Sequence, residues 1–341
     1  MKQKGAQSVL FTVRLCALLL SVGLASFLPG RGYADVVIDL TYIGAPGNSD
    51  ENPVGELWVG GVDYGYYIGT YEVTVAQYAE FLNSVAASDP YGLYNDSMGT
   101  GGPLGTPIIT RTGEDGAYTY TAVTGREYQP VRYVDFYDSL RFCNWLNNGQ
   151  VSGTTETGAY TLALGLWVER EPGATWVLPS EDEWYKAAYY DPVNGVYYDY
   201  PNGSDTAPQE PTDETTPREL NFGDDPYWQG GVYYTSAGDT TGSSSFGVAD
   251  MGGNVVEWNE SLANPIQGPQ RVTRGGDFMS PASDMASASQ GGYLPTAEAS
   301  FIGFRVAYII PEPSTLMLIL FGLPAVFVAG ARRSGCVGRK R

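Results

Sequence analysis

The chain has 341 residues, with 38 acidic side chains against 19 basic ones, three cysteines and no histidine. A net charge of −19 speaks against nucleic acid as a partner, because phosphate binding needs a cationic surface. The missing histidine excludes imidazole metal ligation and every Ser-His or Cys-His nucleophile arrangement.

At the N-terminus, Lys2, Lys4 and Arg14 give a basic start. An apolar stretch through Leu18, Leu19, Leu20, Val22 and Leu24 follows, and Gly32-Tyr33-Ala34 precedes Asp35. This is the order of a secretory signal over residues 1–34. An uncleaved membrane helix is the alternative, disfavoured by the short apolar region and the small-residue site. Residues 35–310 then hold ten basic and 37 acidic side chains, a net charge of −27. Such a domain repels itself unless cations neutralise part of the charge, and calcium is the natural extracellular one. Only Cys143 falls inside it, so an internal disulfide is impossible.

Glycine, proline and short polar runs recur, with 26 tyrosines, so the domain reads as a single loop-rich α+β fold. Residues 66–68 predict a strand. Thr74 to Gln77 has capping-box form, with Val75, Tyr78, Leu82 and Val85 on one face of the helix that follows. Asp135 caps a second helix to Asn147, with Phe136, Leu140 and Cys143 inward. Ser180 and Glu183 cap a third, which buries Trp184, Ala187 and Ala188. Segments 86–129, 149–175 and 191–245 read as mostly loop, and 305–309 as a strand.

Beyond the domain, Pro311-Glu312-Pro313-Ser314-Thr315 leads into an apolar run to Gly330, closed by Arg332, Arg333, Arg339, Lys340 and Arg341. The run is at the short limit of a membrane span, about 17 to 25 residues, and the basic residues favour the cytoplasmic side. A simple tail anchor is one reading. The three elements over 311–341 together resemble a PEP-CTERM sorting signal. That resemblance implies membrane insertion before processing by an exosortase, and a Gram-negative-type envelope. The mature domain would pass to the cell surface or the extracellular matrix.

A second resemblance emerges from motifs in order. Tyr67-Ile68-Gly69-Thr70-Tyr71-Glu72-Val73-Thr74 is followed by Gln77-Tyr78 and Phe81-Leu82. Pro130-Val131, Val134, Trp145-Leu146, Leu178-Pro179-Ser180-Glu181, Glu183-Trp184 and Ala187-Ala188 continue the pattern. Phe246-Gly247, the run from Asp250 through Gly252-Gly253-Asn254 to Glu257-Trp258, Arg274-Gly275-Gly276 and Gly303-Phe304-Arg305 complete it. Together these resemble the formylglycine-generating-enzyme, or sulfatase-modifying-factor, family. The resemblance implies one complex α/β domain related to C-type lectins. Val75, Val177 and Val256 depart from the family's usual asparagine, arginine and tryptophan and are expected to be packing or local hydrogen-bond variations.

The family's enzymes hold copper(I) with two cysteines shortly after the Arg-Gly-Gly turn and oxidise a substrate cysteine. Here Ser280 and Met285 stand near those positions. Copper(I) wants thiolate; a serine hydroxyl is a hard, poor ligand and one thioether does not replace two thiolates. Copper is therefore not expected as a cofactor. Cys143, on the apolar face of the second helix, reads as a small hydrophobe. A branch of the family that uses histidine-held iron is closed as well.

The resemblance also implies structural calcium, with carboxylates from Asp250 and Glu257 and carbonyls from Gly253 and Val255. The alternative is a tight turn in which Glu257 bonds nearby amides. Asn221 and Phe222 match half of a second calcium site, with Asp225 and Tyr227 as guesses for the rest. A cleft near the Arg-Gly-Gly turn is expected, lined from among Arg274, Asp277, Phe278, Tyr293 and Arg305, unless Arg305 is a buried structural partner of a carboxylate. The leading expectation is a non-catalytic binding or structural protein that meets extracellular polysaccharide or protein. The alternatives are a formylglycine-generating oxidoreductase with a displaced site, and a hydrolase using Ser280 with Lys186 as base.

Overall fold

The computed structural model describes residues 35–53, 58–165, 167–209, 219–223, 234–263 and 268–311. The expected signal at 1–34, nearly all of the tail at 311–341, and Asp225 and Tyr227 lie outside these residues. Among the described residues no helix is long and apolar enough to cross a membrane.

In chain order the fold runs β1 (Leu40–Ile43), β2 (Tyr66–Gly69), α1 (Val75–Val85), α2 (Asp96–Thr100), β3 (Ile109–Thr112), β4 (Thr119–Ala122), α3 (Phe136–Asn147), β5 (Trp176–Val177) and α4 (Glu181–Tyr189). It continues with β6 (Tyr190–Asp191), β7 (Val196–Tyr197), β8 (Val256–Leu262), β9 (Arg271–Arg274), β10 (Gly291–Tyr293), β11 (Ile302–Gly303) and β12 (Ala307–Ile309). One sheet has the order β1-β2-β12-β5, so the last strand of the domain is laid between early ones. A second has the order β10-β9-β8-β11, with β8 and β11 parallel. This is the expected loop-rich mixed fold.

The helices begin where local chemistry says they should. The Thr74 hydroxyl accepts from the Gln77 N–H while the Gln77 side chain accepts from the Thr74 N–H; Asp135 with Asp138 and Ser180 with Glu183 repeat this box. Each satisfies two otherwise orphaned donors, worth about 1 kcal/mol per cap. Val75, Tyr78 and Leu82 are buried as expected, and Val85 is half-buried. Phe81, Phe142 and Trp145 join the first and third helices through ring contacts of 5.4–5.6 Å, and Phe304 meets Phe142 at 5.5 Å. Val75, Val177 and Val256 are all buried, consistent with packing roles.

The structure differs from the sequence reading in segment 86–129, which holds α2 and the β3–β4 hairpin. Four-residue strands are too short to display a period, yet pairing along the hairpin and burial of Tyr120 against the core stabilise them. Strand β12 begins only at Ala307, because the preceding Arg305 side chain is drawn into the interior.

Candidate functional site

Two adjoining features are built on the turn before β8 and the turn after β9. In the first, Asp250 and Asn254 both take positive φ (54° and 60°), which short polar side chains tolerate best. Gly253 lies so close to Asn221 that an added Cβ would sit 2.0 Å from its carbonyl oxygen. The Asn254 carboxamide then ties three segments: its oxygen accepts from the Thr235 N–H and the Asn221 amide, and its nitrogen donates to Glu72.

Around this turn three buried carboxylates, Glu72, Asp250 and Glu257, share one buried guanidinium, Arg305. Arg305 donates to both Glu257 oxygens at 2.6 Å and to the carbonyls of Gly69, Ala249 and Asp250. Trp184 Nε1 adds a bond to Glu257 Oε2 at 2.8 Å. With two acids left over, burial and then the Asp250 charge push Glu72 well above the usual carboxylate range. Burial raises Asp250 to about 6 against the opposing Thr240 bond and Arg305 charge. Its Oδ1 accepts from the Thr240 hydroxyl, but its buried Oδ2 has no partner.

That orphaned oxygen tests the calcium expectation. Glu257 Oε2 already accepts two bonds, whereas Oε1 accepts one and keeps a lone pair. Among the described residues no three acidic or cysteine side chains converge as metal ligands. A hard cation here would draw on Asp250 and Glu257 with the Gly253 and Val255 carbonyls, oxygen donors of the kind such cations take. Asn221 is buried and its carbonyl accepts from the Asn254 N–H; the Phe222 side chain packs with Leu220 and Met285.

The second feature is a cleft of about 250 Å³ over the Gly275–Gly276 turn, lined in part by Arg274, Asp277, Ser280, Asp284, Gln290 and Tyr293. Arg274 brings no free charge to it. Its guanidinium donates to Glu181 and to the carbonyls of Ser287 and Ser289, while Gln290 also donates to Glu181. The Ser280 hydroxyl accepts from the Asp277 N–H at 3.1 Å. Burial raises Asp277, and burial followed by the charges of Asp277 and Asp284 raises the Tyr293 phenol. The cleft is polar and acidic, with the Asp277 and Asp284 carboxyls beside Ser280.

Several expected site residues fall elsewhere. Met285 is fully buried against Leu220 and Phe222 and does not line the cleft with Ser280, because an apolar thioether gains more from burial than from a polar wall. Phe278 is buried as well, packing on Tyr234 at 4.7 Å. Arg305 is the structural partner of Glu257 and not a cleft residue. Lys186 donates to the carbonyls of Ala45 and Val62, outside the cleft, which removes it as a base for Ser280. Cys143 is buried in α3, and burial pushes its thiol well up. The sequence reading assigned no role to Glu72 or Glu181. Both stand in motifs that were legible, but only their distant partners Asn254 and Arg274 reveal what they do.

A model of the sulfatase-modifying factor enzyme 1-like domain matches residues 41–310. Among solved structures, the chain is similar to Treponema denticola variable protein 1 at 18% identity, covering 79% of this chain and 94% of that one, with a TM-score of 0.47. It is similar to CarF at 19% identity, covering 80% and 99%, with a TM-score of 0.48. PvdO from Pseudomonas aeruginosa gives 19% identity, coverage of 80% and 92%, and a TM-score of 0.43. No curated protein matches the chain.

Proposed function

The chain belongs to the family of sulfatase-modifying factor enzyme 1-like domains, and from that premise we propose that it binds a ligand and does not oxidise one. The observation that carries this reading is the parting of the two positions where the family's cysteines are expected. Ser280 stands in the cleft, and Met285 is sealed in a separate apolar cluster. The thiol within residues 35–310, Cys143, is buried in α3. Without paired sulfur donors nothing holds copper(I) there. What remains is an acidic, polar cleft that favours a cationic or hydroxyl-rich group of a peptide or glycan.

The setting follows from the two ends of the sequence: export by the N-terminal signal, sorting by an exosortase through the C-terminal tail, and residence at the cell surface or in the matrix. Calcium at Asp250, Gly253, Val255 and Glu257 would neutralise part of the buried negative charge and serve the fold. The competing reading is a formylglycine-generating oxidoreductase. Incubating the copper(I)-loaded protein with a cysteine-containing sulfatase peptide separates them: no aldehyde is expected, and measurable aldehyde overturns the binding-only reading.

A further inference from the structure

Arg132, Arg274 and Arg305 are all sealed in the interior. Two of them hold a carboxylate, Glu181 for Arg274 and Glu257 for Arg305. Arg132 holds none among the described residues. It stands between β4 and α3, and its side chain reaches back to the turn after α2. There Nη2 donates to the Thr106 carbonyl at 2.7 Å and to the Thr106 hydroxyl at 2.9 Å. The next residue, Tyr133, holds the same turn, its hydroxyl donating to the Gly101 carbonyl at 3.0 Å. The Tyr234 ring centroid lies 3.9 Å from the Arg132 Cζ. Nε and Nη1 are buried and have no partner.

Neutral acceptors would satisfy these two donors but not the charge. A buried ion without a counter-ion is among the costliest states in a fold, which is why buried charges are paired. The Tyr234 face attracts a cation, yet it carries no formal charge. Burial raises the Tyr234 pKa, so no phenolate forms at neutral pH to take the place of a carboxylate. Arg126 adds a like charge nearby, and its own Nη1 donates to the neutral Gln129. Burial lowers the Arg132 pKa to about 10, which still leaves the group charged at neutral pH. The chain has a surplus of acids, but none of those described comes to this guanidinium.

We propose that Arg132 binds a monatomic anion of the halide class in the protein interior, at Nε or Nη1. The donor pattern selects that class. Carboxylates, phosphates and sulfates grip a guanidinium with two oxygens along one edge, and both such edges include Nη2. Thr106 already occupies Nη2. A halide has no preferred direction and needs only one N–H, so it suits the single donors that remain. Enclosure points the same way, since a side chain sealed from solvent offers no path to a group carried on a larger molecule. The site shares no residue with the cleft lining, and the inference does not rest on the binding reading.

Urea unfolding of the purified protein tests it, at neutral pH, fixed ionic strength and fixed calcium, with sodium chloride or bromide exchanged for sodium gluconate. By mass action, the folding constant is expected to rise about tenfold for each tenfold increase of halide above its Kd. Gluconate, too bulky to enter, is expected to give no such rise. Arg132→Met keeps an apolar stem without the charge and should lose the halide dependence. If that variant does not fold, crystals of the native protein grown from sodium bromide read the site directly. An anomalous bromide peak within hydrogen-bond distance of Nε or Nη1 is then expected. Equal stability in halide and gluconate, a halide dependence that survives in Arg132→Met, or bromide crystals without a peak beside Arg132 overturns the proposal.

Discussion

Arg305 and Glu257 meet through two 2.6 Å hydrogen bonds in the interior, with essentially no exposure of either side chain. The pair joins β8 to the stretch just before β12 and so links the two four-stranded sheets. Burial works against the guanidinium charge, but Glu257, with Glu72 and Asp250 behind it, raises the Arg305 pKa further.

Removing one partner leaves an uncompensated buried charge, which costs about 3–5 kcal/mol. Arg305→Met and Glu257→Gln should each lower the urea midpoint accordingly. The double variant is expected to lose less than the sum of the two, and strict additivity would show that the residues do not act as a pair.

Calcium should reveal itself through stability. A cation held by Asp250 and Glu257 stabilises the folded state by mass action, about 2.7 kcal/mol at a hundredfold excess over Kd. Chelator is therefore expected to lower the melting temperature of the native protein and to have little effect on Asp250→Asn. Equal melting with and without chelator counts against the ion.

Met285 and Ser280 should behave in opposite ways on truncation. Met285→Ala opens a cavity among Leu220 and Phe222 and should destabilise by about 2–5 kcal/mol. Ser280→Ala removes one hydrogen bond at the edge of the cleft, about 1 kcal/mol. Comparable losses in chemical denaturation would mean that Met285 is not a core residue.

Lys186 gives a pH dependence with a definite sign. Burial lowers its pKa from 10.5 to about 8 against the opposing Asp63 charge. The unfolded chain therefore binds the proton more tightly than the folded one between these values. Stability from this group rises as pH climbs through about 8. The stability of the native protein relative to Lys186→Met should accordingly increase from pH 7 to pH 9.5. A difference that stays flat over this range would show that Lys186 keeps its proton in the fold.

Much of the fold was legible because its signals are local. The three capping boxes each join residues three apart, and the buried faces of α1, α3 and α4 repeat at helical spacing. The β3–β4 hairpin was not legible, since Thr119–Ala122 is too short for a period and its stability comes from pairing with Ile109–Thr112. In the site, the Asp250–Glu257 turn and the Arg274-Gly275-Gly276 turn stood out by their glycines and charges. The direction in which Met285 and Phe278 point did not, because both neighbour cleft residues in the chain yet are drawn inward by apolar partners.

By itself the sequence determined that residues 35–310 hold no histidine and one cysteine, that the domain is strongly acidic, and where its helices begin. These are matters of composition and of hydrogen bonds closed within a turn. Tertiary structure alone decided that Arg305 takes Glu257 and Arg274 takes Glu181, and that Tyr42, Tyr67, Tyr308 and Trp176 form one row. Those partners lie tens to hundreds of residues apart. Their meeting depends on strand register and chain closure, which no local pattern encodes.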